Sequence, residues 1–251
     1  MFSLKTFAAS GLVALLAAPL AAFDMNAMTD AEREVFRAEI RAYLMDNPEV
    51  LLEAIDVLEE RQAAEQAAGD IELVQVNAES IFNDGYSYVG GNPDGDITVV
   101  EFLDYRCGYC KRAHPEVTEL IASDGNIRYI IKEFPILGEQ SVLASRFAIA
   151  VKEVEGPEAY LETHDTLMTL RGEISEASLS DLSEQLGYDT PSVFDAMNSD
   201  VVQDQIAQNR QLAQRLQING TPSFIFETEM LRGYAPLEAM RDVVEELRAE
   251  G

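Results

Sequence analysis

The chain predicts an α/β fold: a central sheet flanked by helices, with a helical insertion and a helical segment in front. Three observations predict it. Ile97–Leu103 (ITVVEFL) and Ile127–Phe134 (IRYIIKEF) are β-branched, nearly continuous apolar runs, as expected of strands buried on both faces. From about 139 to 198 no strand-like run occurs, only helical stretches separated by Gly, Pro or Asp. A short apolar hairpin and a final helix then close the chain. The order strand, helix, strand, helical insertion, helix, hairpin, helix packs as layers of helix around one sheet.

Residues 1–22 have the layout of a secretory signal peptide. Lys5 is their only charge, Phe7 to Leu16 is apolar or small, and Pro19 with Ala21-Ala22 forms a small-residue cleavage region before Asp24. The apolar middle is shorter than the roughly 20 residues a membrane-spanning helix needs. No other stretch is long and apolar enough to span. The formal charge of −27, from 45 acidic and 18 basic side chains, repels nucleic acid and anionic lipid, so neither is an expected partner.

Residues 23–84 read as an N-terminal helical segment. Thr29 and Glu32 fit a capping box, with hydroxyl and carboxylate each satisfying a free N–H at a helix start. Val35, Phe36, Ile40, Tyr43 and Leu44 share a face, Asn47-Pro48 interrupts, and Leu51, Ile55 and Leu58 resume the stripe. Thr29–Ala68 therefore either folds back on its own domain or packs against copies of itself. Gly69-Asp70 is read as the start of a third helical stretch, through Phe82, which Asn83-Asp84-Gly85 ends.

Residues 85–251 form the main domain. Tyr86–Val89 reads as a short first strand, followed by a turn-rich loop from Gly90 to Gly95. After Ile97–Leu103, Asp104-Tyr105-Arg106 leads into a helix opened by the cysteines and running to about Ser123. The insertion, at about 139–198, comprises Glu139–Val154, Pro157–Leu170, Ser175–Leu186 and Pro191–Met197. A helix over Val201–Leu216, the Gly220-Thr221-Pro222 turn, a hairpin of Ser223–Glu227 and Met230–Arg232, and a helix from Pro236 to Arg248 complete it.

The only two cysteines are Cys107 and Cys110. An exported chain with so few is not a disulfide-stapled scaffold, and a lone C-x-x-C points to redox chemistry. At a helix start, unpaired N–H groups and the positive end of the helix dipole stabilise a thiolate, the reactive form of sulfur. Cys107 is thus the expected attacking and leaving sulfur and Cys110, one turn on, the resolving one. Gly108 and Tyr109 between them tune the potential. Two alternatives stand beside this. One is a structural disulfide, though so short a loop constrains the unfolded chain little. The other is a metal shared between protomers through the face carrying Cys107, Cys110 and His114. A zinc site needs four ligands and only His114 and His164 could join the pair, so neither a metal nor another cofactor is expected. Glu101 is anomalous in its apolar strand and, if buried, has a raised pKa. Lys132 on the neighbouring strand is its natural partner, and the plain alternative is a buried ion pair that fixes packing.

Three segments in order, VVEFLDYRCGYCK (Val99–Lys111), IKEFP (Ile131–Pro135) and GTPSF (Gly220–Phe224), resemble the landmarks of the DsbA-like branch of the thioredoxin superfamily. The resemblance implies a thioredoxin-like fold in which Pro222 follows a cis bond and faces the cysteines. It also implies that Thr221 offers backbone hydrogen bonds to a substrate strand, and that Glu101 lies beneath the site where it can move the Cys110 proton. The CGYC sequence and the Thr before Pro222 are similar to oligomeric periplasmic proteins of the ScsC and DsbC type, which carry N-terminal assembly segments. The implied function is a periplasmic thiol–disulfide oxidoreductase, an isomerase or reductase acting on exported proteins with cysteines. A membrane redox partner and self-assembly through Thr29–Ala68 are expected with it. The alternatives are a monomeric DsbA-like oxidase and, from another class, a copper-binding or holdase protein.

Overall fold

A computed structural model describes residues 27–250; the expected signal peptide, residues 1–22, lies outside the described residues. The chain divides into two compact units at Glu60/Arg61.

The first unit holds helix α1 (Asp30–Asp46) and the start of α2 (Glu49–Val76). The Thr29–Glu32 capping box forms: the Glu32 N–H donates to Thr29 Oγ1, and the Thr29 N–H donates to Glu32 Oε2 at 2.8 Å. No residue of α1 is buried. Val35, at 71% exposure, and Ile40, Tyr43, Leu51, Leu52, Ile55 and Leu58 stand open on the surface.

The second unit is built on a five-stranded sheet in the order β1-β3-β2-β4-β5. Its strands are β1 (Tyr88–Gly91), β2 (Ile97–Leu103), β3 (Ile127–Glu133), β4 (Ser223–Phe226) and β5 (Glu229–Arg232). β2 and β3 run parallel and the other pairings are antiparallel. The β2–β3 crossover is α4 (Gly108–Asp124), ended by Gly125 in the left-handed conformation that glycine tolerates best. Between β3 and β4 come α5 (Glu139–Glu155), α6 (Pro157–Thr169), α7 (Glu176–Leu186), α8 (Thr190–Ala196) and α9 (Asp200–Arg215); α10 (Leu237–Glu250) follows β5.

Strand alternation sorts the core into two halves. Val99, Leu103, Tyr129, Ile131, Phe224 and Phe226 pack with residues of α4, α10 and the insertion. Val100, Phe102, Ile130 and Ile225 pack on the other side with Leu212 and Leu216, Ile81 of α3 (Ala78–Phe82) and Val74 of α2.

Two expectations are corrected. Gly69-Asp70 starts no new helix: α2 runs through both, and the break falls at Asn77, whose Nδ2 donates back to the Leu73 carbonyl. A helical Gly costs only about 1 kcal/mol, and here Asp70 is buried and paired with Arg232 of β5. Lys132 does not meet Glu101. In the β2–β3 register Glu101 faces Ile131 while Lys132 faces Phe102, so the two side chains leave the sheet on opposite sides. Lys132 is fully buried against Asp84 and the Ser80 carbonyl instead.

Candidate active site

The site lies where β2 gives way to α4. Asp104 shapes that turn. Its Oδ1 accepts the Arg106 N–H at 2.7 Å, its Oδ2 accepts the N–H groups of Ile136 and Leu137 at 2.8 and 3.0 Å, and its carbonyl accepts the Cys107 N–H at 3.0 Å. One buried carboxylate thus ties the loop before the cysteines to the loop after β3.

Cys107 is the N-cap residue of α4, in extended conformation, and is 7% exposed; Cys110, one turn in, is fully buried. The antiparallel β2–β4 register pairs Phe102 with Ser223. Carried two residues further, it sets Thr221 beside the turn. There the Cys107 thiol donates to the Thr221 carbonyl at 3.1 Å, and the Thr221–Pro222 bond is cis. Gly108 would meet nothing if given a side chain, and Tyr109 is exposed, its ring 6.4 Å from that of Tyr234. α4 continues through Pro115 without ending.

The two sulfurs are driven in opposite directions. A hydrogen bond from the Cys110 thiol holds the Cys107 pKa down at about 5, helped by the Thr221 side chain and the backbone N–H groups of Cys110 and Tyr109, against the opposing effect of burial. Burial pushes the Cys110 thiol well up, and the neighbouring Cys107 and Glu101 add to it. Glu101 is buried in β2 and its pKa rises to about 7, first through burial, with the Cys107 and Glu133 charges adding. The Tyr129 hydroxyl donates to Glu101 Oε2, while Oε1 is buried with no hydrogen-bond partner among the described residues. A buried acceptor left open is costly, and a catalytic role is one reason for a fold to keep one.

Cys107, Cys110, Thr221, Pro222 and Glu101 therefore converge, while Gly108 and Tyr109 form the outer rim. Sequence reasoning did not find Asp104 or Tyr129. It also missed a second buried carboxylate. Glu133 Oε1 accepts the Tyr105 and Tyr160 hydroxyls, each at 2.7 Å, and Oε2 accepts that of Ser145 at 2.7 Å. Burial raises the Glu133 pKa to about 7. Period-two alternation does carry a signal for Tyr129, which shares a strand face with Ile127 and Ile131.

The DSBA-like thioredoxin domain profile matches residues 98–245, and that of the copper resistance protein ScsC N-terminal domain matches residues 32–65. A thioredoxin-like oxidoreductase from Silicibacter pomeroyi DSS-3 is 40% identical over 68% of this chain and 97% of its own, with a TM-score of 0.64. Proteus mirabilis ScsC in a transitional conformation is 29% identical over 91% of this chain and 100% of its own, with a TM-score of 0.65. Among curated proteins, the Na(+)/H(+) antiporter NhaA 1 of Salinispora arenicola is 29% identical over 62% of this chain. The chain spans only 24% of that relative's length. By the extent of the first match and the convergence of the three segments at one turn, the chain belongs to the DSBA-like thioredoxin domain family.

Proposed function

We propose that the protein is an exported thiol–disulfide oxidoreductase acting on the disulfides of other exported proteins. The observation that carries this is the pair of sulfurs at one helix start, Cys107 at the N-cap beside the cis Thr221–Pro222 bond and Cys110 buried one turn in. Their surroundings favour the thiolate at Cys107 and the thiol at Cys110. In the reducing direction the Cys107 thiolate attacks a substrate disulfide, forming a mixed disulfide and releasing one substrate thiolate. Cys110 then loses its proton to Glu101 and attacks Cys107. This releases the second substrate thiolate and closes the Cys107–Cys110 disulfide. Thr221, next to Cys107, offers its backbone to the substrate strand beside Pro222. Gly108 leaves the approach to the sulfur open, and Tyr109 gives the rim an apolar contact.

Direction rests on the first unit. Large apolar side chains along α1 and the start of α2 are exposed, and each Val, Leu, Ile or Phe withdrawn from water contributes roughly 1.5–3 kcal/mol. Their packing against copies of the same segment, Thr29–Ala68, gives an oligomer presenting several cysteine pairs, the arrangement that suits an isomerase. The match to the ScsC N-terminal domain over residues 32–65, within that segment, supports it. We place the mature chain, cleaved after residue 22, in the periplasm, with a membrane protein as redox partner. Among the described residues no helix is long and apolar enough to cross a membrane.

A second reading is a monomeric oxidase. It is favoured by the low Cys107 pKa, because a stabilised thiolate stabilises the reduced form and makes the disulfide a stronger oxidant. Reactivation of scrambled ribonuclease, with and without added oxidant, separates the two. An isomerase restores activity to the scrambled enzyme without oxidant, whereas an oxidase works only on the reduced substrate. Light scattering on the full chain tests assembly, and a monomer there rejects it. Failure to reduce insulin or reactivate ribonuclease, together with tight Cu(I) uptake by the reduced pair, rejects the enzyme altogether.

A further inference from the structure

The chain's two histidines, remote in sequence, meet in the fold. His114 lies on α4, one turn beyond Cys110; His164 and Asp165 lie on α6. The imidazole centroids are 5.1 Å apart at an interplanar angle of 72°, and His114 Nε2 is 3.4 Å from Asp165 Oδ1. One donor atom from each of the three residues lies within 4.8 Å of the other two. We propose that His114, His164 and Asp165 form a binding site for a divalent first-row transition-metal ion, separate from the cysteine pair.

The buried partner is already oriented for the task. The Tyr105 hydroxyl donates its one proton to Glu133, so its oxygen accepts from His164 Nδ1–H, at 3.2 Å. That fixes the tautomer and leaves the lone pair on Nε2, which has no hydrogen-bond partner among the described residues. An imidazole whose other nitrogen is held by an oxygen, itself hydrogen-bonded to a carboxylate, is the usual support behind a metal-binding histidine. Two imidazoles and one carboxylate suit zinc and its neighbours rather than calcium or magnesium, and three protein ligands leave a fourth position for water. Tetrahedral coordination at about 2.0–2.2 Å brings donor atoms to roughly 3.3 Å from one another. The needed contraction can come from rotation of the Asp165 side chain, which is 53% exposed, and of His114, which is 14% exposed.

The ordinary reading of such a cluster is an ion pair between His114 and Asp165. That reading gives no role to His164, which is buried with its ring against that of His114 and its Nε2 without a hydrogen-bond partner among the described residues. A bound ion would clip α4, the helix that carries the cysteines, to α6 of the insertion.

The test uses the full chain oxidised, so that the cysteine sulfurs are locked in a disulfide and cannot ligate. Zn2+ is titrated calorimetrically with Mg2+ in excess, which occupies the acidic surface. Co2+ serves as a spectroscopic probe for d–d bands without thiolate charge transfer. The expected result is saturable uptake of one ion per chain, with a dissociation constant raised at least tenfold in both His114→Ala and Asp165→Ala. Both positions reach the surface, and circular dichroism verifies that each variant folds. Should His114→Ala fail to fold, Asp165→Ala decides alone. Absence of saturable uptake, or a change of less than tenfold in a folded variant, overturns the proposal.

Discussion

Replacing Cys110 with alanine isolates what its thiol does for Cys107. Cys107 is held at about 5 against an ordinary thiol value of 9.0, and the largest single contribution is the hydrogen bond from Cys110. A hydrogen bond to a charged group is worth about 1.5–3 kcal/mol. At about 1.36 kcal/mol per pH unit, its loss raises the Cys107 pKa by about 1–2 units, to about 6–7. The remaining depression belongs to Thr221 and the backbone N–H groups, which the variant keeps. The assay is the ultraviolet absorbance of the thiolate followed against pH in the reduced protein, checked by the pH dependence of alkylation by iodoacetamide. At neutral pH the unmodified protein is almost entirely thiolate, and the variant falls to an intermediate fraction. An unmodified midpoint near the ordinary thiol value would refute the helix-start argument outright. An unchanged midpoint in the variant would show that the inter-thiol hydrogen bond is not the main cause.

Glu101→Gln leaves attack by Cys107 intact and slows resolution by Cys110 by about 10²-fold, the low end of general-base contributions. The rise in resolution rate as pH passes about 7, where Glu101 ionises, disappears with it in stopped-flow traces of a mixed disulfide. Because the folded Cys107 pKa lies below its unfolded value, its stabilising contribution is complete above the unfolded value and is lost as pH falls towards about 5. Denaturant melts of reduced and oxidised protein therefore diverge with rising pH. Discounted for solvent screening, the gap grows by roughly 2–3 kcal/mol between about pH 5 and 8, and parallel curves would contradict the assignment. Asp84→Ala strands the fully buried Lys132 ammonium and destabilises the fold by about 3–5 kcal/mol, whereas adding Lys132→Met restores most of that loss in urea titrations.

What could be read in the sequence was local. β2 is found at its expected bounds and β3 within one residue, because a run of β-branched side chains is a property of the run itself. The role of a thiol at a helix start needs only the strand-to-helix turn. Three distant segments pointed to the same turn before any register was known. Side-chain pairings set by strand parity are not legible in this way. The partner of Glu101 is Tyr129 rather than Lys132 because strand parity decides which side of the sheet each side chain enters. Gly69-Asp70 has the look of a boundary because the distant partner of Asp70, Arg232, is not visible in the local sequence. The meeting of His114 and His164 depends on how the insertion docks on α4, and nothing in the spacing of two isolated histidines encodes that.

The contact between Cys107 and Thr221 spans 114 positions of chain. A chain is made from its N-terminus and folds in that order where it can. β2, α4 and β3 are all synthesised before the insertion, and so the cysteines emerge well ahead of the residue that completes their surroundings. β4 enters the sheet beside β2 only after five further helices have been made. During that interval the sulfurs have their helix start but lack the Thr221 side chain, whose hydrogen bond helps to draw the Cys107 thiol towards its ionised form. Full activation thus comes with completion of the chain, which limits the reactivity of the nascent thiol towards whatever surrounds it.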